Sequence, residues 1–311
     1  MKIVFFGTPD FAGKVLLSLI NSSHQVVGVV TQEDKKVGRK QILTESPVKV
    51  IANENNINVF QFHKIRSEGY SELKNLNADI FITCAYGQII SEEILNLPKY
   101  GTINIHFSLL PLYRGASPVQ WALINGESET GVTIMRTDAG IDTGDIIIQK
   151  SLKIDSEDNT ETLLYKLTDL SLPILSKVLQ DFASNNIKFI KQGENFTYYP
   201  ILKKEDGLID FNKTSLEIIN KIKGLSVWPG VYFYYNNKIV KVFNAESVNF
   251  ESKEENGTIV CANKTGLIVK CKNSYLKILE LQMEGAKRLF YKDFLNGNKI
   301  QVGDKLNGNL T

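Results

Sequence analysis

Through its first two hundred residues the chain alternates short, almost continuous apolar runs with longer stretches of helical periodicity. The runs Lys2–Phe6, Gln25–Thr31, Ile80–Ala85, Gly101–His106 and Gly131–Met135 read as strands, with Val59–Phe60 and Asp145–Lys153 as two more. Between them Phe11–Ile20, Ser46–Asn53, Ser67–Leu76, Ser91–Leu97 and Pro118–Asn125 space their apolar residues as helices do. Parallel strands need a crossover, which these helices supply, and strands apolar on both faces belong inside a covered sheet. The pattern predicts an α/β fold built on a doubly wound, mostly parallel sheet.

A longer helical pattern covers Thr160–Phe182, where Pro173 is expected to kink or break it. Gln192–Asp210 is polar, carries tyrosines and has no clear period, so it reads as a linker. Beyond it one helix pattern, Ser215–Gly224, precedes strand patterns at Val231–Tyr235, Lys238–Phe243, Thr258–Ala262, Gly266–Lys270 and Leu276–Gln282. Asn236-Asn237 suits the hairpin turn between the first two of these. Five short strands in so little chain predict a small β-barrel of the oligonucleotide-binding type, with a small sandwich as the other solution. The expected domains are 1–191, a linker at 192–210, and 211–311.

Composition excludes several classes. Three cysteines, Cys84, Cys261 and Cys271, lie in apolar runs with no CxxC spacing, so neither a disulfide scaffold nor a zinc finger is expected. No apolar run reaches the roughly 18 residues of a membrane span. The first strand pattern starts at once, leaving no room for a targeting segment, and a reducing cytoplasm is the expected compartment. A net charge of +2 over 311 residues is no general nucleic-acid signal. The second half is more basic: from Lys213 onward there are 15 basic and nine acidic side chains. That permits a phosphate-tracking face.

Chemistry concentrates in few places. In the strand Gly101–His106, Asn104 and His106 share one face, two residues apart, and Ser108-Leu109-Leu110-Pro111 then breaks the strand. Both side chains therefore stand at its carboxyl end, where open parallel sheets bind ligands. A buried amide and imidazole could also be a satisfied structural pair, but two on one face at a strand exit favour function. The loop from Asp138 to Asp145 interleaves Asp138, Asp142 and Asp145 with Gly140 and Gly144; spacing alone does not choose among the carboxylates or exclude a plain acidic turn. Gly7-Thr8-Pro9-Asp10-Phe11 is either an anion-holding turn or a simple strand-to-helix turn, and it lacks the dinucleotide glycines. The polar stretch Gln32–Glu45 holds Lys35, Lys36, Arg39 and Lys40; unaided, it reads as a solvated loop. His24 and His63 are given no role.

The run Asn104-Ile105-His106-Phe107-Ser108-Leu109-Leu110-Pro111-Leu112-Tyr113-Arg114-Gly115 resembles the signature of enzymes that use 10-formyltetrahydrofolate as formyl donor. Within them the chain is most similar to the methionyl-tRNA formyltransferases, through Phe6-Gly7-Thr8-Pro9-Asp10-Phe11-Ala12, Ser46-Pro47-Val48-Lys49, Ala85-Tyr86-Gly87, Gly131-Val132-Thr133-Ile134-Met135 and Trp228-Pro229. The resemblance implies a Rossmann-like formyltransferase fold followed by an oligonucleotide-binding domain. It implies catalysis by Asn104, His106 and the Asp142 of Asp142-Thr143-Gly144. It implies a folate site along Ser108, Leu109, Leu110 and Pro111 and along Tyr86, Gly87, Gln88 and Ile89. Lys35, Lys36, Arg39 and Lys40 would meet the initiator methionyl-tRNA, although Lys40-Gln41-Ile42 departs from the usual pattern. A monomer in the bacterial cytoplasm, using 10-formyltetrahydrofolate as co-substrate and no metal, is what the resemblance leads one to expect. Formyltransferases acting on the amine of a nucleotide sugar share the strand and the SLLP run, but not the Gly7–Phe11 or Ser46–Lys49 stretches.

Overall fold

The structure, a computed structural model, describes residues 1–38, 40–298 and 300–307. Its strands in chain order are β1 (Lys2–Gly7), β2 (Gln25–Thr31), β3 (Lys35–Val37), β4 (Ile42–Thr44), β5 (Val59–Gln61), β6 (Ile80–Cys84), β7 (Thr102–His106), β8 (Arg114–Gly115), β9 (Glu129–Arg136), β10 (Ile146–Lys153) and β11 (Tyr198–Tyr199). The second half adds β12 (Val231–Tyr235), β13 (Lys238–Val248), β14 (Ile259–Asn263), β15 (Gly266–Cys271), β16 (Ser274–Met283) and β17 (Leu289–Phe290). The helices are α1 (Asp10–Ile20), α2 (Pro47–Glu54), α3 (Ile65–Glu68), α4 (Tyr70–Asn75), α5 (Glu92–Leu95), α6 (Pro118–Ile124), α7 (Thr160–Ala183), α8 (Ser215–Gly224) and α9 (Tyr291–Gly297).

A seven-stranded sheet runs β10-β9-β7-β6-β1-β2-β5. The five strands from β7 to β5 pair in parallel; β9 and β10 pair antiparallel and finish one edge. Central strands are buried on both faces, as in Ile3, Val4, Phe5 and Phe6 of β1 and all of β6. That two-sided burial is why they read as unbroken apolar runs. β7 lies between β6 and β9, so its carboxyl end, with Asn104 and His106, opens at the change from parallel to antiparallel pairing.

Contacts divide the chain into two units. The first holds residues 1–115, 129–153 and 164–199, and contains the seven-stranded sheet. The second holds residues 116–128, 154–163 and 200–311, so α6 joins the C-terminal portion. Within this second unit a Cβ at Gly224 of α8 would run into the Gln120 carbonyl and Ile124 of α6, so glycine lets the two helices approach closely. The stretch 192–210 is shared between the units: β11 pairs with β8, while Leu202 and Ile209 enter the C-terminal core.

Four elements differ from the sequence reading. The barrel is not closed among the described residues: β12-β13-β16-β15-β14 form an antiparallel sheet, with β17 added to β16. One isolated bridge lies at each edge: Leu208 to Tyr232 of β12, and Thr258, just before β14, to Lys305. Strand patterns do not say whether the first strand meets the last. Pro173 sits inside an unbroken α7, held by buried Leu167, Leu175, Val178 and Leu179 on either side of it. The Ser67–Leu76 pattern is two short helices, parted at Gly69. Gln32–Glu45 is not plain loop, because β3 and β4 pair as a hairpin. The Asn236-Asn237 turn is as expected, both residues having positive φ (48° and 60°). No helix among the described residues is long and apolar enough to cross a membrane.

Candidate active site

Asn104 and His106 stand at the end of β7, where Thr83 and Asp142, distant in sequence, reach them. Thr83 of the neighbouring β6 donates its hydroxyl to Asn104 Oδ1 at 2.7 Å, a length typical of O–H···O bonding. With its oxygen engaged, Asn104 is left to offer the Nδ2 amino group as a donor. His106, two residues on, is buried. Its Nε2 lies 2.9 Å from the Tyr113 carbonyl. A carbonyl only accepts, so Nε2 carries a proton and donates it there. Nδ1 faces Asp142 Oδ1 at 3.6 Å, too far for a hydrogen bond and close enough for a proton to pass after a small movement.

The loop of three aspartates is resolved by geometry. Asp138 Oδ1 accepts from the Gly140 N–H at 3.1 Å and the Thr143 hydroxyl at 2.7 Å, closing its own turn. Asp142 is the one turned to His106. Its Oδ2 accepts the Gly115 N–H at 2.9 Å, and its backbone takes the left-handed conformation at φ 52°. Gly144 must be glycine for lack of space, since a Cβ there would meet the Arg136 carbonyl.

One side chain that the sequence reading passed over holds this loop. Gln192 Nε2 donates to the carbonyls of Asp142 and Gly144, both at 2.8 Å. Its Oε1 accepts from Arg114 Nε at 3.0 Å and Nη2 at 2.7 Å. Amide and guanidinium thus tie the Asp142 loop to β8, next to Gly115. Gln192 lies 50 residues from Asp142 in a stretch without period, and no sequence signal marks it.

The Ser108–Pro111 segment is rigidly tethered. Ser108 Oγ donates to the Leu112 carbonyl at 2.8 Å, Thr133 Oγ1 to the Ser108 carbonyl at 2.6 Å, and Gln149 Nε2 to the Leu110 carbonyl at 2.7 Å. Leu110 is buried against Met135 and Ile146, and Leu109 closes over Gly131. The Leu110-Pro111 peptide is cis.

The other expected folate segment is only partly turned outward. Tyr86 is core: its ring meets Phe6 edge-on at 5.6 Å, and burial pushes its phenol above the usual range. Its backbone carbonyl accepts from Thr8 Oγ1 and Gln32 Nε2, both at 3.0 Å. Gln88 is spent internally, donating to the Phe62 carbonyl and accepting from the Ile65 N–H. Gly87, at φ 89°, and Ile89, 74% exposed, are what this segment presents.

On the β3–β4 hairpin Lys35, Lys36 and Lys40 are exposed, while Arg39 lies outside the described residues. Beside the hairpin, Asp34 accepts from Lys49 Nζ at 2.7 Å and from Gln61 Nε2 at 2.8 Å. The Lys49 hydrogen bond, then that of Gln61, holds the Asp34 carboxyl below its usual range. Val37, Ile42 and Leu43 are each more than half exposed, unusual for three apolar residues on one short hairpin. Among the described residues no group of three or more histidine, cysteine or acidic side chains is arranged to hold a metal.

Residues 1–179 match the family model described as formyl transferase, and residues 201–299 match the formyl transferase C-terminal domain. A methionyl-tRNA formyltransferase of Caldicellulosiruptor saccharolyticus is 43% identical over 98% of this chain and 100% of its own length. One of Caldanaerobacter subterraneus is 43% identical over 97% of this chain and 99% of its own. Among solved structures, a sugar 3N-formyl transferase determined in the presence of dTDP and 5-N-formyl-THF superposes with a TM-score of 0.66 at 25% identity, covering 92% of this chain and 99% of that one.

Proposed function

Since this chain belongs to the methionyl-tRNA formyltransferase family, we propose that Asn104, His106 and Asp142 transfer a formyl group from 10-formyltetrahydrofolate to the α-amino group of initiator methionyl-tRNA. The observation that carries these assignments is the meeting of an oriented amide, a singly committed imidazole and a carboxylate at one strand end. The co-substrate supplies an activated formyl carbon; the chain's own groups stabilise charge and move protons.

Oxygen gains negative charge when an amine adds to a formyl carbon. Asn104 Nδ2, with Thr83 on the opposite side of the amide, is the donor for that oxygen. Removing one such donor costs about 10²–10³ in rate. The attacking amine must lose a proton and the departing nitrogen must gain one. Asp142 and His106 Nδ1 face each other across 3.6 Å and form a pair through which that proton can travel. Positioned acid–base groups of this kind contribute about 10²–10⁴.

Ser108–Pro111, with Gly87 and Ile89, is the proposed wall for the folate. Lys35, Lys36, Arg39 and Lys40 are proposed to meet tRNA phosphates. The division proposed is a formyltransferase domain over 1–191, a connecting segment over 192–210, and a tRNA-binding domain over 211–311. A monomer acting in the bacterial cytoplasm completes the reading.

Asn104→Ala, His106→Ala and Asp142→Ala are each expected to lower kcat by about 10² or more with melting temperatures near wild type. Near-normal turnover in all three would remove these residues from the mechanism.

A further inference from the structure

We propose that Phe196 and Tyr198, with the Arg114 guanidinium, form a stacking platform for the unpaired nucleobases at the 3′ end of the tRNA. This rests on the reading of the substrate as methionyl-tRNA. Both aromatics are more than half exposed, at 55% and 52%. Arg114 joins them, its guanidinium lying over the Phe196 ring and its backbone pairing with Tyr198. The segment is fixed rather than loose: Arg114 N–H donates to the Thr197 carbonyl at 2.9 Å, Tyr113 N–H to Thr197 Oγ1 at 2.8 Å, and Tyr198 pairs with Arg114 across β8 and β11. Below it Tyr113 and Tyr199 stack with ring centres 4.9 Å apart.

Two contacts bind this strip to the reacting groups. The Arg114 guanidinium lies over the Phe196 ring at 4.6 Å, and the same guanidinium donates twice to Gln192, which holds the Asp142 loop. The Tyr198 ring lies against Gly115, where a Cβ would come within 2.8 Å of it, and the Gly115 N–H holds Asp142 Oδ2. The aromatic strip therefore begins one residue from the carboxylate.

The chemistry of the substrate selects the occupant. The methionine amine is separated from the terminal ribose by one α-carbon and an ester. When that amine is beside Asp142, the last nucleoside lies one aminoacyl length away, on the side where Gly115 joins Asp142 to the Tyr198 ring. Aromatic faces take any unpaired base without reading its sequence, and a flat guanidinium adds to the stack. Lysines act on phosphates through charge and lose their effect in salt, whereas stacking keeps it.

Steady-state formylation of methionyl-tRNA by the full chain tests this, with Tyr198→Ala, Phe196→Ala and Tyr198→Phe compared with wild type at low and high salt. Each alanine variant is expected to raise KM for methionyl-tRNA about 5–100-fold at both salt concentrations. KM for 10-formyltetrahydrofolate and kcat at saturation should stay near wild type, as should every constant of Tyr198→Phe. Tyr198→Leu, apolar but not aromatic, replaces the alanine variant if that one fails to fold, and is expected to behave alike. An unchanged KM for methionyl-tRNA in an active background overturns the platform. So does a rise in the folate KM in its place, or an equal loss in Tyr198→Phe, which would assign the effect to the hydroxyl. Wild type that forms no formyl-methionine overturns the substrate reading instead, so the two failures are distinguishable.

Discussion

Asp142 keeps a non-glycine backbone in the left-handed region, and the Gln192 amide is the side chain that fastens it there. Gln192→Glu separates the two halves of that amide: the acceptor for Arg114 remains, and the donor to the Asp142 and Gly144 carbonyls becomes a repelling oxygen. Losing such hydrogen bonds at a positioned group is expected to lower kcat about tenfold or more, with KM for methionyl-tRNA close to wild type. Wild-type kcat in Gln192→Glu would mean that the loop holds its shape unaided. Asn104 and His106 were legible in the sequence because a two-residue period places both on one face of a recognisable strand. Asp142 was legible only through the family resemblance, since three carboxylates in one loop look alike until their hydrogen bonds are known. Gln192 and Thr83 were illegible: both act through contacts that depend on tertiary pairing, and neither sits in a motif.

The β3–β4 hairpin is an element whose anchorage has a pH signature. Asp34 is held by Lys49 and Gln61, and its carboxyl is lowered chiefly by the Lys49 hydrogen bond. A carboxyl lowered in the folded state contributes stability above its unfolded pKa and loses it as pH falls through the folded value. Asp34→Asn should therefore lower stability at neutral pH by about 1 kcal/mol or less, the partners being partly exposed. The gap between variant and wild type should shrink progressively below about pH 4 in thermal melts. A gap that stays constant down to pH 2 would show that the charge on Asp34 is not what matters. The parallel strands and their helices were legible from periodicity, because burial on both faces imposes it. The hairpin was not: Lys35–Val37 and Ile42–Thr44 leave their side chains exposed, so no core-facing alternation is written into them. That Pro173 does not break α7, and that the C-terminal sheet is not closed among the described residues, were not legible either, packing around a helix and closure of a sheet being properties of the whole fold.

At the scale of the molecule, charge is the property that links the chain to a nucleic acid. The C-terminal hundred residues carry a basic excess, yet four of their cations pair with Glu217, Glu246, Glu255 and Glu280. Lys35 and Lys36 are exposed on the hairpin of the first unit. KM for methionyl-tRNA is expected to rise steeply with salt, and Lys35→Ala or Lys36→Ala should each reduce the slope of log KM against log salt by up to about one. Slopes identical to wild type would exclude both lysines from phosphate contact. The change of texture near residue 192 falls between the strands of the seven-stranded sheet and those of the C-terminal antiparallel sheet. That α6 packs with the C-terminal portion could not be anticipated, since α6 sits in the sequence between two strands of the first sheet.

The most direct test of the function is formyl transfer itself. The full chain is mixed with 10-formyltetrahydrofolate and either initiator methionyl-tRNA or a UDP-aminosugar, and the products are identified by mass. Formyl-methionine on the tRNA, with the aminosugar untouched, is the expected result. Formylated sugar with unmodified tRNA would keep the chemistry of Asn104, His106 and Asp142 and contradict the substrate.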